Sequence, residues 1–349
     1  MHKQDDSVFV PNELRAFSGY YVNQDKLRNS SSGGGASALA EAIIGNGGCV
    51  FGVAYTDNFK RAEYYCAESM EDLEKLKGSK YIETDKRVFY NNEYQSVYSL
   101  VYQKLKESTE VLFIGVGCAV SALYSYLLSQ RSDISGLYTA ELICYGPTSQ
   151  KVSAQYIDSL EQRFDSKIIS FTVRHKKGFW LEAYVRAEFA SGTVFEEPFY
   201  RSDYGYALSV YSRLACYNCR FKGHGHPADL ILGDYRGLSK HDVRFNPLGV
   251  SVFIVRTEKG NRLMSKLDRT TFCLSTANID HVLKHNEMYY ANKKRTKKRE
   301  EFGRLLDTEG LHKAVVKCSG RLRYRLKNTT WVVSAIRHLK QLIFFRDKK

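Results

Sequence analysis

Apolar residues along this chain fall into short continuous runs that alternate with stretches of helical spacing. The runs typical of buried strands cover residues 49–55, 111–115 and 137–146. The stretches typical of helices cover residues 36–44, 91–108, 120–128 and 150–163. A capping pattern from Ser69 to Asp72 predicts a further short helix that ends near Lys77. Strands and helices that alternate at these lengths predict a parallel α/β sheet.

The pattern changes after residue 166, where apolar and polar residues alternate. Segments 167–173, 179–189 and 193–199 predict strands that form antiparallel hairpins built on the sheet. A helix is predicted over 204–214, a strand over 251–255 and a helix over 259–267. The predicted fold is therefore α/β, a mixed sheet with parallel strand–helix units plus antiparallel hairpins and a basic helical tail. We divide the chain into an arm (1–29), an N-terminal part (30–109), a cysteine-bearing part (110–290) and the tail (291–349).

Charge is concentrated at one end of the chain. The net charge of the chain is +14, and residues 291–349 account for +13 of it, because they contain eighteen Lys and Arg but only five Asp and Glu. The body is therefore nearly neutral, and the tail shows no fold that reads bases, which argues against nucleic acid as a partner. The sequence contains no run of about 18 apolar residues, so no membrane-spanning helix is predicted. The N-terminus lacks an export signal, so we predict a cytoplasmic protein whose eight cysteines are not disulfides.

Four of the cysteines have positions that indicate a shared site. Cys216 and Cys219 form a C-x-x-C pair, and Cys118 and Cys144 each follow a predicted strand. Open α/β sheets bind ligands at the carboxyl ends of their strands. Four thiolates suit either a [4Fe–4S] cluster or a structural zinc ion. The alternative is that Cys118 and Cys144 are small core residues and the C-x-x-C spacing is accidental.

Two short segments could bind phosphate. The loop 30–35 is composed of Ser and Gly before a predicted helix, so free N–H groups could face an anion, although a flexible linker has the same composition. Lys80 lies in a second small-residue turn, where a solvated lysine is the alternative. Asp234 is either a ligand-facing carboxylate or a turn residue. His224 and His226 are candidate metal ligands or plain loop residues.

Seven motifs in order resemble the coenzyme F420 hydrogenase/dehydrogenase beta-subunit family, especially members encoded in bacterial polysaccharide-biosynthesis loci. The resemblance covers residues 19–304, and RHKKGFW at 174–180 also fits the family pattern. The motifs are SSSGG, GG-x-VFG, GSKY, a strand ending G-x-x-C, LIC-x-G-P, R-x-x-CYNC and DLILGDYRG.

The resemblance implies a flavin- and iron–sulfur-dependent oxidoreductase. By position it implies FAD near Ser31, Ser32, Gly33, Gly34 and Lys80. It also implies a [4Fe–4S] cluster on Cys118, Cys144, Cys216 and Cys219. The expected substrate is a glycan precursor.

The sequence departs from the family pattern in three places. The ferredoxin module that begins longer relatives is absent from this sequence, so we expect electrons from a separate ferredoxin-like donor or partner subunit. Ala119 and Tyr145 replace the glutamine and histidine that usually follow the first two cysteines. A zinc-stabilised, non-enzymatic module whose tail binds an anionic partner is the alternative function. In the tail, residues 331–349 could form a basic amphipathic helix that contacts an anionic membrane surface or packs on the body.

Overall fold

The computed structural model describes residues 14–320, which form two sheets and eleven α-helices. The strands are β1 (Arg15–Tyr21), β2 (Cys49–Thr56), β3 (Arg61–Ala67), β4 (Asp85–Tyr90), β5 (Glu93–Ser96), β6 (Val111–Gly115), β7 (Leu137–Leu142), β8 (Ile168–Lys176), β9 (Ala183–Phe189), β10 (Val194–Pro198), β11 (Leu230–Asp234), β12 (Ser251–Val255) and β13 (Phe272–Ala277). The larger sheet has ten strands in the order β13-β1-β12-β11-β7-β6-β2-β3-β4-β5. At its centre β11, β7, β6 and β2 are parallel neighbours, which confirms the predicted α/β class.

The helices lie between and beside these strands. They are α1 (Gln24–Arg28), α2 (Gly35–Gly45), α3 (Leu73–Leu76), α4 (Val97–Lys106), α5 (Gly117–Ser129), α6 (Gln150–Phe164), α7 (Asp203–Val210), α8 (Glu258–Ser265), α9 (Ile279–His285), α10 (Arg299–Thr308) and α11 (Leu311–Ser319). Side-chain caps mark several starts: Ser149 accepts from the Val152 N–H and Thr257 from the Gly260 N–H. No helix within residues 14–320 is long and apolar enough to cross a membrane.

Apolar side chains from both faces of the large sheet form separate cores. In one core, Leu39 and Ile43 of α2 pack with Phe253. In another core, Leu123 of α5 packs with Phe113. The three strands β10-β9-β8 form their own antiparallel sheet, so the predicted hairpins are not built onto the large one. The reason is that the inward residues of these strands pack against α6 and α7 in a core of their own.

Two local predictions are wrong. Residues 15–21, predicted as part of the N-terminal arm, form a strand between β12 and β13, because both faces of this segment are covered: Ala16 packs in one core and Tyr21 in another. The helix predicted over 91–108 begins only at Val97. Asn91 and Asn92 adopt left-handed φ values of 50° and 65°, which make the tight turn between β4 and β5.

The first part of the predicted tail is integrated into the body. Phe302, Leu305 and Leu306 of α10 are buried, as are Leu311 and Val315 of α11. These side chains join the core of the smaller sheet. The predicted membrane-surface helix at 331–349 lies outside the described residues.

Candidate functional site

The carboxyl ends of the four central parallel strands meet at one edge of the large sheet. β6 ends just before Cys118, β7 just before Cys144, and β11 ends at Asp234. Tyr55 lies at the same end of β2. The sequence-predicted ligand edge is therefore the edge where these residues lie, as expected for an open α/β sheet.

Cys118 and Cys144 occupy different environments at this edge. Cys118 lies in the first turn of α5, and the residue as a whole is exposed to solvent. Its thiol is nevertheless partly desolvated by neighbouring groups, which raises its pKa, and the positive charge of Lys86 opposes this rise. Cys144 lies in the loop after β7, where its Sγ accepts a 3.3 Å hydrogen bond from the Gly146 N–H. Burial raises the pKa of Cys144 to about 11. Both thiols are free.

Cys216 lies on a short 3₁₀ turn, Leu214–Asn218, and Cys219 follows this turn directly. The turn packs against the loop that carries Cys144. A Cβ added at Gly146 would lie 3.0 Å from Cβ and 3.4 Å from Sγ of Cys216. The Cys219 N–H donates a 3.1 Å hydrogen bond to Oδ1 of Asn292. Gly146 has φ +88°, so this position needs glycine both for its backbone conformation and for the approach of Cys216.

Further contacts fix the loop that follows the pair. Lys222 donates hydrogen bonds to the carbonyl oxygens of Cys144 and Met288. A Cβ on Gly117 would lie 2.7 Å from Cβ of Phe221, so the loop passes directly over the start of α5. The structure thereby brings three distant segments of the chain to one place.

The four thiols are close enough to influence one another electrostatically. The charge of Cys219 raises the pKa of Cys118, and the charge of Cys118 raises the pKa of Cys144 and that of Cys216. Within residues 14–320 no three or more Cys, His, Asp or Glu side chains are arranged as a group that could hold a metal ion. The donor chemistry fits a thiolate-bound centre, but the arrangement is more open than a coordination sphere. The assignment of these four ligands stays a prediction.

Basic groups surround the thiols. Burial raises the pKa of the Cys118, Cys144 and Cys216 thiols; Arg213 partly offsets this rise at Cys118 and Cys216, and Lys222 does so at Cys144. Lys293 acts in the same direction on Cys216. Positive charge stabilises thiolates and anionic clusters, so this environment suits four sulfur ligands.

The Ser/Gly loop is ordered and packed rather than a flexible linker. The Ser32 hydroxyl donates to the Val250 carbonyl at 3.0 Å, and Ser31 accepts a 3.0 Å hydrogen bond from Ser79. A Cβ on Gly33 would lie 2.2 Å from the Gly19 carbonyl oxygen. Gly34 caps α2 with φ +87°. The loop therefore requires glycine at 33 and 34 for close packing.

A cavity of about 160 Å³ lies beside this loop. Cationic and polar groups line it, among them Arg28, Lys77, Ser79, Arg174 and His175. The donor set suits a phosphate or pyrophosphate. Cavities that enclose whole cofactors are usually about 300 Å³ or more, so this one accommodates only part of a dinucleotide.

Lys80, the predicted phosphate ligand, is engaged in local structure. Its ammonium donates to the carbonyl oxygens of Lys75, Leu76 and Lys77 at 3.2, 2.8 and 2.6 Å. Burial lowers its pKa to about 7. An ammonium has three donors, so all are used in this conformation and Lys80 orders the turn that carries Ser79.

Arg174 and Lys176 were not singled out from the sequence. Arg174 donates to both carboxylate oxygens of Asp234 at 3.0 Å, which assigns Asp234 to an ion pair beside the cavity. Lys176 is buried and donates to the carbonyls of Leu27 (2.7 Å) and Ser32 (2.6 Å). The RHKK run was a sequence signal for this strand, but its partners were not visible there.

The two histidines near the C-x-x-C pair differ. His226 is buried, its Nδ1 lying 2.7 Å from Oε1 of Glu141 and its Nε2 3.1 Å from the Tyr289 carbonyl. Both ring nitrogens are occupied, so His226 organises the fold beneath the thiols. His224 is exposed. Cys49, Cys66 and Cys318 are buried and Cys273 is partly buried.

Comparison with known proteins gives two findings. Residues 108–281 match a family model that describes the C terminus of the coenzyme F420 hydrogenase/dehydrogenase beta subunit. The chain also resembles one chain of a solved structure described as xenon derivatization of the F420-reducing [NiFe] hydrogenase complex from Methanosarcina barkeri. The two are 18% identical with a TM-score of 0.52, and the match covers 80% of this chain and 88% of that one. No curated protein matches.

Proposed function

The chain belongs to the coenzyme F420 hydrogenase/dehydrogenase beta-subunit family, to which residues 108–281 match, and we propose that it is a flavin- and iron–sulfur-dependent oxidoreductase. The observation that carries the proposal is the convergence of Cys118, Cys144 and the 216/219 pair at the carboxyl edge of β6 and β7. We infer that these thiolates hold a [4Fe–4S] cluster and that FAD binds beside the Ser/Gly loop.

The two sites are structurally connected. Residues 78–83 run from the cavity toward the thiols, and Ile82 forms a parallel bridge with Thr148, four residues after Cys144. Arg213 lies 3.4 Å from Glu83 in an ion pair that joins this segment to the C-x-x-C turn. This continuity supports a single redox site with two centres rather than two unrelated ones.

A bound flavin supplies the switch between two-electron and one-electron transfer. Residues of this chain would bind the phosphates of the flavin: Arg28, Lys77 and Ser79 line the phosphate-sized cavity. Lys176 fixes the Ser/Gly loop beside it by donating a hydrogen bond to the Ser32 carbonyl. The Arg174–Asp234 pair fixes a charged wall of the same cavity.

The expected electron donor is a separate ferredoxin-like protein. The surface around the thiols fits such a partner, because Leu214 (58% exposed), Tyr145 (44%) and Tyr290 (52%) supply apolar contacts. Arg220 and Lys294 are exposed beside them. Basic side chains around an apolar centre complement the acidic surface of an electron carrier. The proposed substrate is a precursor of cell-surface polysaccharide, as the motif resemblance implies.

Anaerobic purification followed by iron, sulfide, zinc and flavin quantitation tests this function. We expect about four iron and four sulfide and one FAD per chain, with a yellow-brown colour and a broad iron–sulfur absorbance shoulder. A colourless protein with one zinc ion and no flavin would instead establish the zinc-stabilised module, and the redox proposal would be abandoned.

A further inference from the structure

Strand β8 contains one extra residue where it passes the phosphate-sized cavity. Thr172 pairs with Arg186 of β9. The next pair joins His175 to Tyr184, so β8 advances three residues where β9 advances two. Such a bulge places on one face side chains that would otherwise point to opposite faces of the sheet. Thr172 and His175 consequently both line the cavity, together with Arg174.

A carboxylate lies beside the His175 ring. Nε2 of His175 is 3.4 Å from Oε1 of Glu196 on β10. Glu196 also forms ion pairs with Lys177 and, at 2.7 Å, with Arg186. Hydrogen bonds from these two cations lower the pKa of Glu196. Glu196 is therefore a fixed negative charge next to the imidazole.

The surroundings of His175 nevertheless favour its neutral form in the free protein. Burial lowers the pKa of His175 below its ordinary value of 6.5, and the charge of Glu196 opposes this shift. Arg186, Lys177 and Arg28 repel a proton on the ring and add to the lowering. The imidazole is therefore mostly neutral at pH 7 and above.

An anion in the cavity would reverse this preference. Arg28, Lys77 and Arg174 supply positive charge to the lining, and the neutral His175 adds none. A protonated imidazole has two N–H donors, so one can face Glu196 while the other donates to the anion. The negative charge of the anion favours the protonated ring. By linkage, a proton on the ring raises the affinity for the anion by the same factor.

We propose that His175 is a phosphate ligand of this cavity that acts in its protonated form, with Glu196 as its counter-charge, so that anion binding is coupled to proton uptake. The inference rests on the proposed function in that the phosphate is taken to belong to FAD. It makes retention of the flavin dependent on pH. The bulge in β8 is its structural basis, because a regular strand would direct His175 and Thr172 to opposite faces.

The test measures binding of sulfate and of FAD to the full-length chain at pH 5.5, 6.5, 7.5 and 8.5. Sulfate and the pyrophosphate diester of FAD keep the same charge over this range, so a pH effect arises in the protein. Calorimetry in two buffers of different ionisation enthalpy counts the protons taken up. The variants are His175→Gln, which cannot be protonated, and His175→Lys, which is charged throughout. The control is His312→Gln on α11, a histidine that lies 2.8 Å from the Asp203 carboxylate.

We expect His175→Gln to bind both probes about tenfold more weakly than wild type at pH 5.5 and with nearly equal affinity at pH 8.5, because a charge-assisted hydrogen bond is lost only where the histidine is protonated. His175→Lys should bind more tightly than His175→Gln at pH 8.5. His312→Gln should match wild type. Lys80 and Lys176 titrate near pH 7, so the difference between wild type and His175→Gln, rather than the wild-type curve alone, measures the effect of His175.

The same pH dependence and proton uptake in wild type and His175→Gln would overturn the proposal, as would equally weak binding of His175→Lys and His175→Gln at pH 8.5. Thermal unfolding reports whether each variant is folded, and if His175→Gln is not, His175→Asn must show the same loss at pH 5.5. A sulfate response that requires His175, without any binding of FAD, would support this inference and refute the flavin assignment. Binding of FAD with no contribution from His175 would do the reverse.

Discussion

Gly146 and Cys216 approach each other so closely that a methyl group on Gly146 would lie 3.0 Å from Cβ of Cys216. The contact joins the loop after β7 to the C-x-x-C turn, seventy residues later in the chain. Because Gly146 also has φ +88°, two independent constraints select glycine at this position. The contact is therefore a sensitive point at which to test the thiol site.

Gly146→Ala should destabilise the fold and reduce iron binding. Backbone strain at positive φ costs about 1 kcal/mol, and displacement of Cys216 adds to it. The matched control is Gly192→Ala, which has φ +83° but no heavy atom within 4 Å of the added Cβ. We expect similar strain in the control with unchanged iron content, measured by denaturation and iron quantitation. Equal iron in both variants would show that the contact does not shape the site.

Serine substitution of each proposed ligand should remove most of the bound iron. Serine keeps the size of cysteine but replaces the thiolate that an iron–sulfur cluster requires. Cys118, Cys144, Cys216 and Cys219 are tested singly by iron and sulfide assay and by visible absorbance. Cys273→Ser, at a partly buried thiol on β13, serves as the control. If one of the four variants retains full iron, that residue is not a ligand.

The cationic cavity should determine flavin affinity. Arg28→Gln combined with Lys77→Gln removes two positive charges from its lining. Hydrogen bonds to charged groups contribute about 1.5–3 kcal/mol, so we expect FAD to bind about ten to a hundred times more weakly, measured by fluorescence titration. Arg131→Gln with Lys106→Gln makes the same charge change at the ends of α5 and α4 and should leave affinity unaltered. Equal weakening in both pairs would indicate a nonspecific charge effect.

Lys176 should make stability depend on pH. Burial lowers its pKa to about 7 from an ordinary 10.5, so between these values the unfolded chain holds a proton that the folded chain lacks. The free energy of unfolding therefore rises with pH across this window, by up to about 1.4 kcal/mol per unit. Below pH 7 both states are protonated and the dependence vanishes.

Urea denaturation of wild type and Lys176→Met at pH 6, 7, 8 and 9 measures this effect. The difference between the two proteins should change with pH above 7 and stay constant below it. Since Lys80 titrates in the same range, only the difference between the proteins isolates Lys176. A difference that is independent of pH from 7 to 9 would contradict the prediction.

Charge reversal near the thiols should slow reduction by an acidic ferredoxin. Arg220→Glu with Lys294→Glu places negative charge beside the exposed apolar residues of this face. We expect the bimolecular rate to fall about tenfold or more at low salt, with the difference shrinking at high salt, as measured by stopped-flow absorbance. Arg131→Glu with Lys106→Glu is the control of equal charge. If both pairs slow the reaction equally, the thiol face is not where the donor binds.

Residues 111–115 and 150–163 were predicted nearly to their ends because continuous apolar runs and helical spacing are local properties of a sequence. The same reasoning placed Cys118 and Cys144 at the carboxyl edge, since the parallel sheet follows from the order of its elements. It missed β1, whose residues show no regular alternation of apolar and polar positions and whose partners lie more than 230 residues away. It also extended α4 through the turn at Asn91 and Asn92, because the helical spacing of the apolar residues in 91–108 was given more weight than the two asparagines, which favour a turn.

The sequence by itself determined the α/β class, the carboxyl-edge location of the thiols and the Ser/Gly loop, because these depend on residue type and spacing along the chain. Only the tertiary structure decided that Lys80 caps a helix, that Asp234 pairs with Arg174, and that Lys293 of the basic tail lies beside the cysteine loops. A charged side chain is soluble on any surface, so composition cannot reveal which one is buried. Its partners are fixed when the distant segments pack together.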